Sequence, residues 1–428
     1  MKSFLQLLLK ILAKRILKKY QPRIVGITGS IGKTSAKEAI FWVLKNRLAV
    51  RTSFKNYNNE IGLPLTIIGR ESPGRRAWGW LGLFKKALSL CLFSDKNYPR
   101  VLVLEMGVDR PGDMDYLTEI AKPDMGLVTA VSYSHLEYFG SVINIKKEKQ
   151  VLIEKLDSQG LAILNFDNEY SRDMAKVSKA KVLTYGLKPG ANLQAQDIIY
   201  NFTKEGYDLS GVSFKLNYNG SIVPVVMKNA MSETSVYSAL AAAAVAIQFD
   251  FNLVDIAKVL SDFNLPKGRM NLLAGIKHSF IIDDTYNSSP EACLSAIDIL
   301  SQVKTDETSD KYAVLGDMLE IGTYTEEGHR LVGKKVATSG IKYLIAVGER
   351  ARDFIRGAKE VEFEDDFIFY FDKPEEAGKF LQNRIKAGDV LLVKGSQGAR
   401  MEKVVKELMA EPDRASELIV RQGKEWNN

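Results

Sequence analysis

A glycine-rich segment near the start of the chain carries the strongest chemical signal in the sequence. It reads Gly26-Ile-Thr-Gly29-Ser-Ile-Gly32-Lys33-Thr34, after an apolar run and before a helical stretch. Glycines let backbone N–H groups approach phosphate oxygens, and the N-terminus of the following helix adds positive potential. Lys33 would reach the β- and γ-phosphates of a nucleotide, and Thr34 would offer its hydroxyl to Mg²⁺. The segment predicts a nucleotide-phosphate site.

The loop departs from the strict phosphate-binding pattern at one position. That pattern places its first glycine five residues before the Gly-Lys pair, where this chain has Ile27. The loop instead has the form TGxxGKT. Because an apolar strand, the lysine and a helix all stand in the expected places, a chance glycine-rich turn is disfavoured.

Three further residues could complete a metal site beside the phosphates. Glu105 ends the apolar run 101–105, the place where a P-loop enzyme holds Mg²⁺. His135 follows another apolar run, and Lys149 lies fourteen residues later in a charged helical stretch. Taken singly, a lone histidine is more often structural and a helix lysine is more often exposed. Their occurrence beside a phosphate-binding loop favours the metal-site interpretation.

Alternating strands and helices must position these residues. The pattern predicts strands over 23–27, 101–105 and 124–130, a helix over 34–46, short strands over 161–165, 181–186, 211–218 and 221–227, and an alanine-rich helix over 235–248. Alternation of this kind predicts an α/β fold with a parallel sheet and crossover helices.

A second unit is predicted after residues 265–268. Strands and helices alternate again there, which indicates a smaller Rossmann-like domain. The predicted organisation is a basic amphipathic N-terminal helix (1–22), a central P-loop ATP-binding domain (23–266) and a Rossmann-like C-terminal domain (267–428).

The composition excludes several other kinds of site. The chain has 428 residues, 46% hydrophobic and 26% charged, which is typical of a soluble globular protein of two or three domains. Its cysteines are Cys91 and Cys293, and its histidines are His135, His278 and His329. These are too few for a disulfide framework, a four-thiolate zinc site or a histidine-rich metal cage. The cysteine usage favours a reducing cytoplasm.

The basic charge is concentrated at one end of the chain. Seven of the 59 Lys and Arg residues, and no acidic residue, lie in residues 1–23, so the remainder balances at 52 basic and 52 acidic side chains. This excludes a nucleic-acid-binding body. Leu5, Leu8, Leu9, Leu12 and Ile16 recur at helical spacing, with Lys10, Lys14 and Lys18 in another row. The pattern fits a helix on an anionic membrane surface and equally a helix packed on the protein's own body.

Residues 70–100 form a second unusual segment. Two tryptophans and several leucines and phenylalanines occur there with seven basic and two acidic residues. A buried helical hairpin is favoured over a second interfacial patch for this segment. Peripheral membrane contact through residues 1–20 and 75–93, and a cytoplasmic location at the inner face of the membrane, are the corresponding expectations.

Together these motifs resemble the Mur ligase family, the ATP-dependent amide-forming enzymes of peptidoglycan precursor synthesis. The resemblance rests on GITGSIGKTS (26–35), KNYNNEIGLPLTI (55–67), LEMG (104–107), SHLEYFGS (134–141), Lys149, LNFDNE (164–169), KGRMN (267–271), DDTYNSSP (283–290), LGDMLEIG (315–322) and LVKGS (392–396). NNEIGLP, DDTYNSSP and LGDMLEIG resemble the branch that adds D-alanyl-D-alanine to a muramoyl-tripeptide.

The resemblance implies roles for individual residues. Thr34, Glu105, His135 and Lys149 would serve a magnesium centre, with two Mg²⁺ sites and Lys149 carbamylated by CO2. The implied ATP-binding residues are Thr28, Gly29, Ser30, Gly32, Lys33, Thr34, Ser35, Arg269, Asp284 and Tyr286. The implied substrate-binding residues are Asn58, Asn59, Lys394, Ser396 and Arg400. The implied catalytic set is Lys33, Glu105, His135, Lys149 and Arg269, and His329 and Lys394 are expected to face a cleft.

Three departures from the family pattern bear on recognition of the substrates. Only 25 residues precede Gly26, where members usually carry a domain that grips the UDP end of the acceptor. Residues 234–238 read Thr-Ser-Val-Tyr-Ser in place of His-Asn-x-x-Asn, whose asparagines help to hold adenine. Gln397 stands where an arginine is usual after Lys-Gly-Ser, with Arg400 three residues later.

The implied reaction is a ligation through an acyl phosphate, and it would serve cell wall biogenesis, cell shape and cell division. The substrate carboxylate attacks the γ-phosphate, and the amine of D-alanyl-D-alanine then displaces phosphate from the acyl carbon. The alternatives are a Mur-type ligase that adds another amino acid or uses a lipid-linked acceptor, and a non-catalytic nucleotide-binding scaffold at the membrane. No Asp-Asn-Pro-Arg motif of the tripeptide-forming branch and no Asn-Lys-x-Asp motif of GTPases occurs in the sequence.

Overall fold

The computed structural model describes residues 2–53, 57–74, 76–132, 136–201, 211–228, 230–423 and 426. The chain divides into two compact units. Unit 1 comprises Met1–Asp197, Phe214–Val225 and Val236–Phe263, and unit 2 comprises Ile198–Ser213, Val226–Ser235 and Asn264–Asn428. Parallel sheets with intervening helices occur in both units, which confirms the predicted α/β class.

The first sheet has nine strands. They are β1 (Arg23–Thr28), β2 (Val50–Thr52), β3 (Val101–Glu105), β4 (Met125–Val128), β5 (Leu161–Asn165), β6 (Lys181–Gly186), β7 (Leu193–Asn201), β8 (Gly211–Tyr218) and β9 (Ser221–Met227). Their order is β2-β3-β1-β4-β5-β6-β7-β8-β9, and the pairs from β2 to β7 are parallel. Every residue of β3 and β4 is buried, as expected for parallel strands covered on both faces.

Helices flank this sheet. They are α1 (Lys2–Tyr20), α2 (Lys33–Leu44), α3 (Gly62–Ile68), α4 (Ala77–Leu92), α5 (Asp113–Ile120), α6 (Leu136–Phe139), α7 (Val142–Glu154), α8 (Glu169–Asp173), α9 (Glu233–Ile247) and α10 (Leu253–Leu260). A 3-10 turn occupies Met174–Val177. The Ser141 side chain accepts a hydrogen bond from the backbone N–H of Asn144, which satisfies an otherwise unpaired donor at the start of α7.

Helix α1 packs one face on the body of unit 1. Leu9, Leu12, Ala13 and Ile16 are buried in the same core as residues of α3, α4 and β3. The packing interpretation of the basic end is therefore confirmed for this face. No helix among the described residues is long and apolar enough to cross a membrane.

The segment 70–100 differs from the favoured prediction. It contains one helix, α4, rather than a helical hairpin. Leu83, Ala87 and Leu90 are buried, whereas Trp78 is 86% exposed and Leu92 is 71% exposed. The prediction of a buried hairpin was wrong because α1 supplies the neighbouring helix, so only one face of α4 is covered.

The second sheet has six strands. They are β10 (Asn271–Ala274), β11 (Phe280–Asp284), β12 (Lys311–Gly316), β13 (Tyr343–Val347), β14 (Ile368–Phe371) and β15 (Val390–Lys394). Their order is β10-β11-β15-β12-β13-β14; β10 is antiparallel to β11 and the other pairs are parallel. The remaining helices are α11 (Pro290–Gln302), α12 (Thr325–Ala337), α13 (Arg352–Lys359), α14 (Pro374–Arg384), α15 (Glu402–Leu408) and α16 (Ala415–Leu418). Short 3-10 turns occupy Ile276–His278, Gly322–Tyr324, Asp365–Phe367, Gln397–Ala399 and Pro412–Arg414.

The registers of both sheets bring the predicted motifs to strand ends. In unit 1, Ile27 is opposite Glu105, and Thr28 is opposite Val128. In unit 2, Asp284 is opposite Lys394. Because the carboxyl ends of parallel strands meet at one edge of a sheet, each unit presents a cluster of polar side chains at such an edge.

Candidate active site

The loop between β1 and α2 has the backbone of a phosphate cradle. Gly29 has φ 146° and Gly32 has φ 82°, in the region that favours glycine. A Cβ on Gly29 would lie 1.9 Å from Thr129 Oγ1, so no side chain fits there. The Thr129 hydroxyl donates to the Ile31 carbonyl at 2.6 Å. Glycine is thus required where the loop passes the end of β4.

Two predicted ATP-binding residues fix this loop to neighbouring strands. The Thr28 hydroxyl is buried and donates to the Met106 carbonyl at 3.0 Å. The Ser30 hydroxyl donates to the Ser132 carbonyl at 3.2 Å and accepts from the Ser132 N–H at 3.1 Å. These contacts hold the loop backbone in place, so in this structure both side chains position the cradle.

Two lysine amines converge on one carbonyl of the loop. Lys33 Nζ donates to the Gly29 carbonyl at 2.7 Å, and Lys149 Nζ donates to the same oxygen at 3.1 Å. Lys149 lies on α7 and is only 2% exposed. The alternative that Lys149 is an ordinary exposed helix lysine is therefore wrong, because α7 packs this side chain against the loop.

Burial changes the chemistry of the Lys149 amine. Desolvation lowers the pKa of Lys149 well below its usual value, and the nearby Lys33 charge lowers it further. Asp109 and Glu148 act in the opposite direction. The Glu148 carboxylate is itself engaged by the backbone N–H groups of Gly112 and Met114, at 3.0 and 2.8 Å. The lowered pKa favours the unprotonated amine, the form that can react with an electrophile such as CO2.

The Glu105 carboxylate is the centre of a second set of contacts. It is 2% exposed at the end of β3. Thr34 Oγ1 lies 3.1 Å from Glu105 Oε2, and Asn58 Nδ2 lies 3.3 Å from Glu105 Oε1. A Cβ on Gly107 would lie 2.6 Å from Asn58 Nδ2, so glycine is also required for this approach. Carboxylate and hydroxyl oxygens are hard donors of the kind that Mg²⁺ prefers, so these residues fit the implied metal.

Lys37 is a member of this cluster that the sequence interpretation missed. Its side chain is fully buried on α2, with Nζ 3.1 Å from Glu38 Oε1, 3.9 Å from Glu105 Oε2 and 3.1 Å from Ser53 Oγ. Residues three apart on a helix share a face, so Lys37 lies on the face of Thr34. That spacing was a usable signal for its position.

The other predicted site residues of unit 1 differ in their surroundings. Ser35 Oγ is buried and has no hydrogen-bond partner in the part of the chain that the structure describes. Asn59 Oδ1 accepts from the N–H of Gly62, the first residue of α3, at 2.9 Å. His135 lies outside the described residues. Among the described residues, no group of three or more His, Cys, Asp or Glu side chains could hold a metal ion.

The segment that departs from the family's asparagine pattern makes a defined contact. The Tyr237 hydroxyl donates to Asp167 Oδ2 at 2.8 Å. The other oxygen of this carboxylate accepts from the Lys188 N–H at 3.1 Å. Tyr237 therefore ties α9 to the loop after β5, a contact that the sequence interpretation did not include.

Unit 2 gathers a separate polar group at the ends of β11 and β15. Lys394 Nζ lies 2.5 Å from Asp284 Oδ2 and donates to the Asn287 carbonyl at 3.0 Å. Ser396 Oγ accepts from the Leu319 N–H at 2.8 Å and donates to the Ser288 carbonyl at 3.3 Å. Both Lys394 and Ser396 are 2% exposed. Their side chains order the loops that follow these strands.

Arg269 and Tyr286 lie together in the same unit. The guanidinium carbon of Arg269 is 4.1 Å from the centre of the Tyr286 ring, a distance suited to a cation–π interaction. The Tyr286 N–H donates to the Gly268 carbonyl at 2.9 Å. Gly268 has φ 67°, and a Cβ there would lie 2.9 Å from Tyr286 N. This close approach holds Arg269 beside the end of β11.

Arg400 and His329 have placements that the sequence did not indicate. Arg400 Nε donates to Glu402 Oε1 at 2.6 Å, and Arg421 lies 3.1 Å from the other oxygen of the same buried carboxylate. His329 is fully buried, and its Nε2 accepts from the Met318 N–H at 3.0 Å. Its ring packs 4.6 Å from the Phe354 ring. The expectation that His329 faces a cleft was wrong, because its ring is buried in the core of unit 2.

Comparisons with known proteins match both parts of this chain to one family. The Mur ligase middle domain matches residues 86–246, and the Mur ligase glutamate ligase domain matches residues 268–397. A UDP-N-acetylmuramoyl-tripeptide–D-alanyl-D-alanine ligase of Bacillus subtilis is 28% identical over 401 residues, covering 94% of this chain and 79% of the relative. An enzyme of the same name from Synechocystis is 30% identical over 391 residues, covering 91% of this chain and 75% of the relative.

Solved structures give the same result. A MurF ligase from Thermotoga maritima in complex with ADP matches with a TM-score of 0.76 and 26% identity, over 96% of this chain and 84% of that one. A MurF structure from Acinetobacter baumannii matches with a TM-score of 0.76 and 25% identity, over 94% of this chain and 79% of that one. Both the sequence and the fold therefore support the resemblance drawn from the motifs, and the chain belongs to the Mur ligase family of ATP-dependent ligases.

Proposed function

We propose that this chain joins the terminal carboxylate of a muramoyl-tripeptide to the amine of D-alanyl-D-alanine in peptidoglycan precursor synthesis. The observation that carries the proposal is the convergence of Lys33, Lys149 and the Glu105 carboxylate around the loop after β1. Its support from relatives is that enzymes named for this reaction align with more than nine tenths of the chain.

In the first step, Lys33 binds the phosphates of ATP while the acceptor carboxylate attacks the γ-phosphorus. The bond from the γ-phosphorus to the bridging oxygen breaks, and an acyl phosphate and ADP form. Lys33 and the loop N–H groups stabilise the negative charge that develops on the transferred group. In the second step, the amine of the dipeptide attacks the acyl carbon and inorganic phosphate leaves.

Magnesium would be held by Thr34, Glu105, His135 and a modified Lys149, in two sites. When bound, Mg²⁺ neutralises charge on the phosphate oxygens during transfer. Asn58 donates to Glu105 and so orients this carboxylate toward the Thr34 hydroxyl. Ser35 Oγ, buried without a partner among the described residues, is available to a phosphate oxygen.

Unit 2 would contribute the remaining recognition groups. Arg269 would bind the ATP phosphates, with Asp284 and Tyr286 beside the nucleoside. Lys394 orients the Asp284 carboxylate through a 2.5 Å ion pair. The proposed substrate-binding residues remain Asn58, Asn59, Lys394, Ser396 and Arg400. The proposed domain division remains 1–22, 23–266 and 267–428, and the proposed location is cytoplasmic, at the inner face of the membrane.

The reaction is tested by mass-spectrometric detection of the product. We expect the purified chain, ATP, Mg²⁺, UDP-N-acetylmuramoyl-tripeptide and D-alanyl-D-alanine to yield the pentapeptide product, and we expect none without ATP. Two acceptors are compared, one with lysine and one with diaminopimelate as the third residue of the peptide. D-alanine and L-lysine are each tested as the amine in place of D-alanyl-D-alanine. A product formed only with a different amine would assign the chain to another branch. If product formed only from a lipid-linked acceptor, the acceptor would be the lipid-linked peptide rather than the UDP-linked one. If the chain bound nucleotide but formed no product with any acceptor, the proposal that it is a ligase would be contradicted.

Carbamylation of Lys149 is a separate part of the proposal. If Lys149 were protonated, two like charges would lie near one carbonyl, whereas a carbamate would be an anionic oxygen ligand beside the Lys33 cation. We expect ¹³C NMR of protein equilibrated with ¹³C-bicarbonate to show one carbamate resonance that is lost in Lys149→Met. The control Lys122→Met, at an exposed lysine, is expected to keep it. A spectrum identical in all three proteins would contradict the modification.

A further inference from the structure

The outward face of α1 carries an apolar row that no described residue covers. Phe4 is 71% exposed, Leu7 is 54% exposed and Ile11 is 41% exposed. Their spacing places them on one side of the helix, opposite the buried residues Leu9 and Ile16. The row continues toward the C-terminus of α1 with basic rather than apolar side chains.

The outward face of α4 repeats this arrangement. Trp78, Leu81, Leu88 and Leu92 are exposed at helical spacing, and their side of the helix is opposite the buried Leu83, Ala87 and Leu90. A helix that is apolar on both faces is unusual at the surface of a globular protein. The described part of the chain has eighteen exposed large apolar side chains, and eight of them lie on α1, on α4 or at Phe93, directly after α4. Such clustering differs from the scattered exposed leucines of ordinary surfaces.

The two helices lie side by side at their C-terminal ends. Lys19 Nζ on α1 donates to the carbonyls of Leu90 and Cys91, at 3.0 and 3.2 Å. The Tyr20 hydroxyl donates to the Phe93 carbonyl at 3.0 Å. The outward rows of α1 and α4 therefore belong to neighbouring elements of unit 1, and we refer to them together as the α1–α4 surface.

The charged side chains on the two helices of the α1–α4 surface are all basic. Neither helix contains an acidic residue, and Arg15, Lys18 and Lys85 are exposed in the outward rows. Burial raises the pKa of the Cys91 thiol, while the charges of Arg15 and Lys19 act in the opposite direction, which places both cations close to α4.

Acidic residues of neighbouring segments face only part of this charge. Glu119 on α5 pairs with Lys10 and Lys14, at 2.7 and 3.4 Å. Asp95 pairs with Lys86 at 3.2 Å. In the described part of the chain, neither acid forms an ion pair with Arg15, Lys18 or Lys85, so the outward rows keep a net positive charge.

We propose that the α1–α4 surface docks on an anionic lipid bilayer. Apolar side chains on helices that lie along a surface insert at the boundary between headgroups and acyl chains, and basic side chains bind anionic headgroups. Tryptophan is enriched at that depth, as Trp78 would be. A protein partner would need acidic groups placed opposite Arg15, Lys18 and Lys85. An anionic bilayer has mobile headgroups and an apolar interior, so it can bind an apolar row flanked by basic side chains without acidic groups at fixed positions.

The proposal is tested by flotation of the full chain with lipid vesicles. We expect the protein to float with phosphatidylcholine vesicles that contain phosphatidylglycerol and to remain unbound with phosphatidylcholine alone. Each basic residue near an anionic surface strengthens binding about fivefold. The variant Arg15→Gln/Lys18→Gln/Lys85→Gln is therefore expected to bind more weakly by on the order of a hundredfold at low salt.

A second variant separates apolar insertion from charge. Trp78→Ser/Leu81→Ser is expected to weaken binding by about tenfold or more, because it removes the inserted side chains but keeps the charge. The matched control Ile222→Ser/Val254→Ser removes two exposed apolar side chains of unit 1 elsewhere and is expected to bind like the parent chain. Thermal melting of every variant verifies folding, and binding is measured without substrates, so the result is independent of ligase activity.

Specific outcomes would overturn the proposal. Equal flotation with both lipid compositions would contradict recognition of anionic lipid, and unchanged binding of Trp78→Ser/Leu81→Ser would contradict insertion. A stable dimer in light scattering that this variant dissociates, without vesicle binding by the parent chain, would assign the α1–α4 surface to a second copy of the chain.

Discussion

Lys33→Ala is expected to lower the rate of ligation by about a thousandfold or more, because the positive charge at the phosphates is lost in the transition state. In the structure, Lys33 Nζ lies 2.7 Å from the Gly29 carbonyl and 3.4 Å from the Ser30 carbonyl, so the amine is already held at the phosphate cradle. The loop itself is anchored by Ser30 and Thr129, which the substitution does not touch. We therefore expect the fold to persist, with a free energy of unfolding lower by about 1–2 kcal/mol for the lost hydrogen bonds.

Product formation measured by mass spectrometry and phosphate release test this expectation. The matched control is Lys188→Ala, which removes an exposed lysine of the same unit and should retain the parent rate. Urea denaturation shows whether the variant is folded. A folded Lys33→Ala protein that ligates within tenfold of the parent rate would contradict the role of this loop in phosphoryl transfer.

Glu105→Gln is expected to lower activity by at least about a hundredfold and also to destabilise the fold. The activity falls because the amide removes the anionic oxygen donor beside Thr34. Stability falls because Lys37, which is fully buried, loses the carboxylate 3.9 Å away. Breaking a buried pair typically costs about 3–5 kcal/mol. Lys37 keeps Glu38 at 3.1 Å, so we expect a smaller loss, about 1–3 kcal/mol.

A companion variant separates these two effects. Lys37→Met removes the buried cation with a side chain of similar length, so Glu105→Gln/Lys37→Met should recover most of the lost stability. The activity of the double variant should remain low. In both Glu105→Gln proteins, the Mg²⁺ concentration that gives the half-maximal rate should be higher than in the parent chain. Urea denaturation and magnesium titrations of the rate measure the two quantities. If the double variant regained parent activity, Glu105 would serve charge balance rather than metal binding.

Local patterns predicted the fold class and the phosphate loop because both depend on residues close together in sequence. Strand β3 was predicted with the bounds observed, since a fully buried parallel strand is a continuous apolar run. Strand β1 ends one residue later than predicted, and helix α2 begins one residue earlier and ends two residues earlier than predicted. The placement of Glu105 followed from its position at a strand end, and the loop glycines followed from the backbone that a phosphate requires.

The α4 segment shows where local patterns were insufficient. Its composition is apolar on every side, so periodicity could not distinguish a face buried by a neighbour from a face left outside. The answer depended on α1, which begins 75 residues earlier in the chain and covers only the inner side of α4.

By itself, the sequence determined the α/β class and predicted a nucleotide-phosphate site at a TGxxGKT loop, because strand, loop and helix signals are local. Only the tertiary structure decided that Lys149 lies 3.1 Å from the carbonyl of Gly29, 120 residues away. It also decided that Lys37 is buried beside Glu105, that Arg400 pairs with Glu402 and that His329 lies in a core. The physical reason is that burial and long-range pairing depend on which segments the sheet registers bring together, and such contacts join residues far apart in sequence.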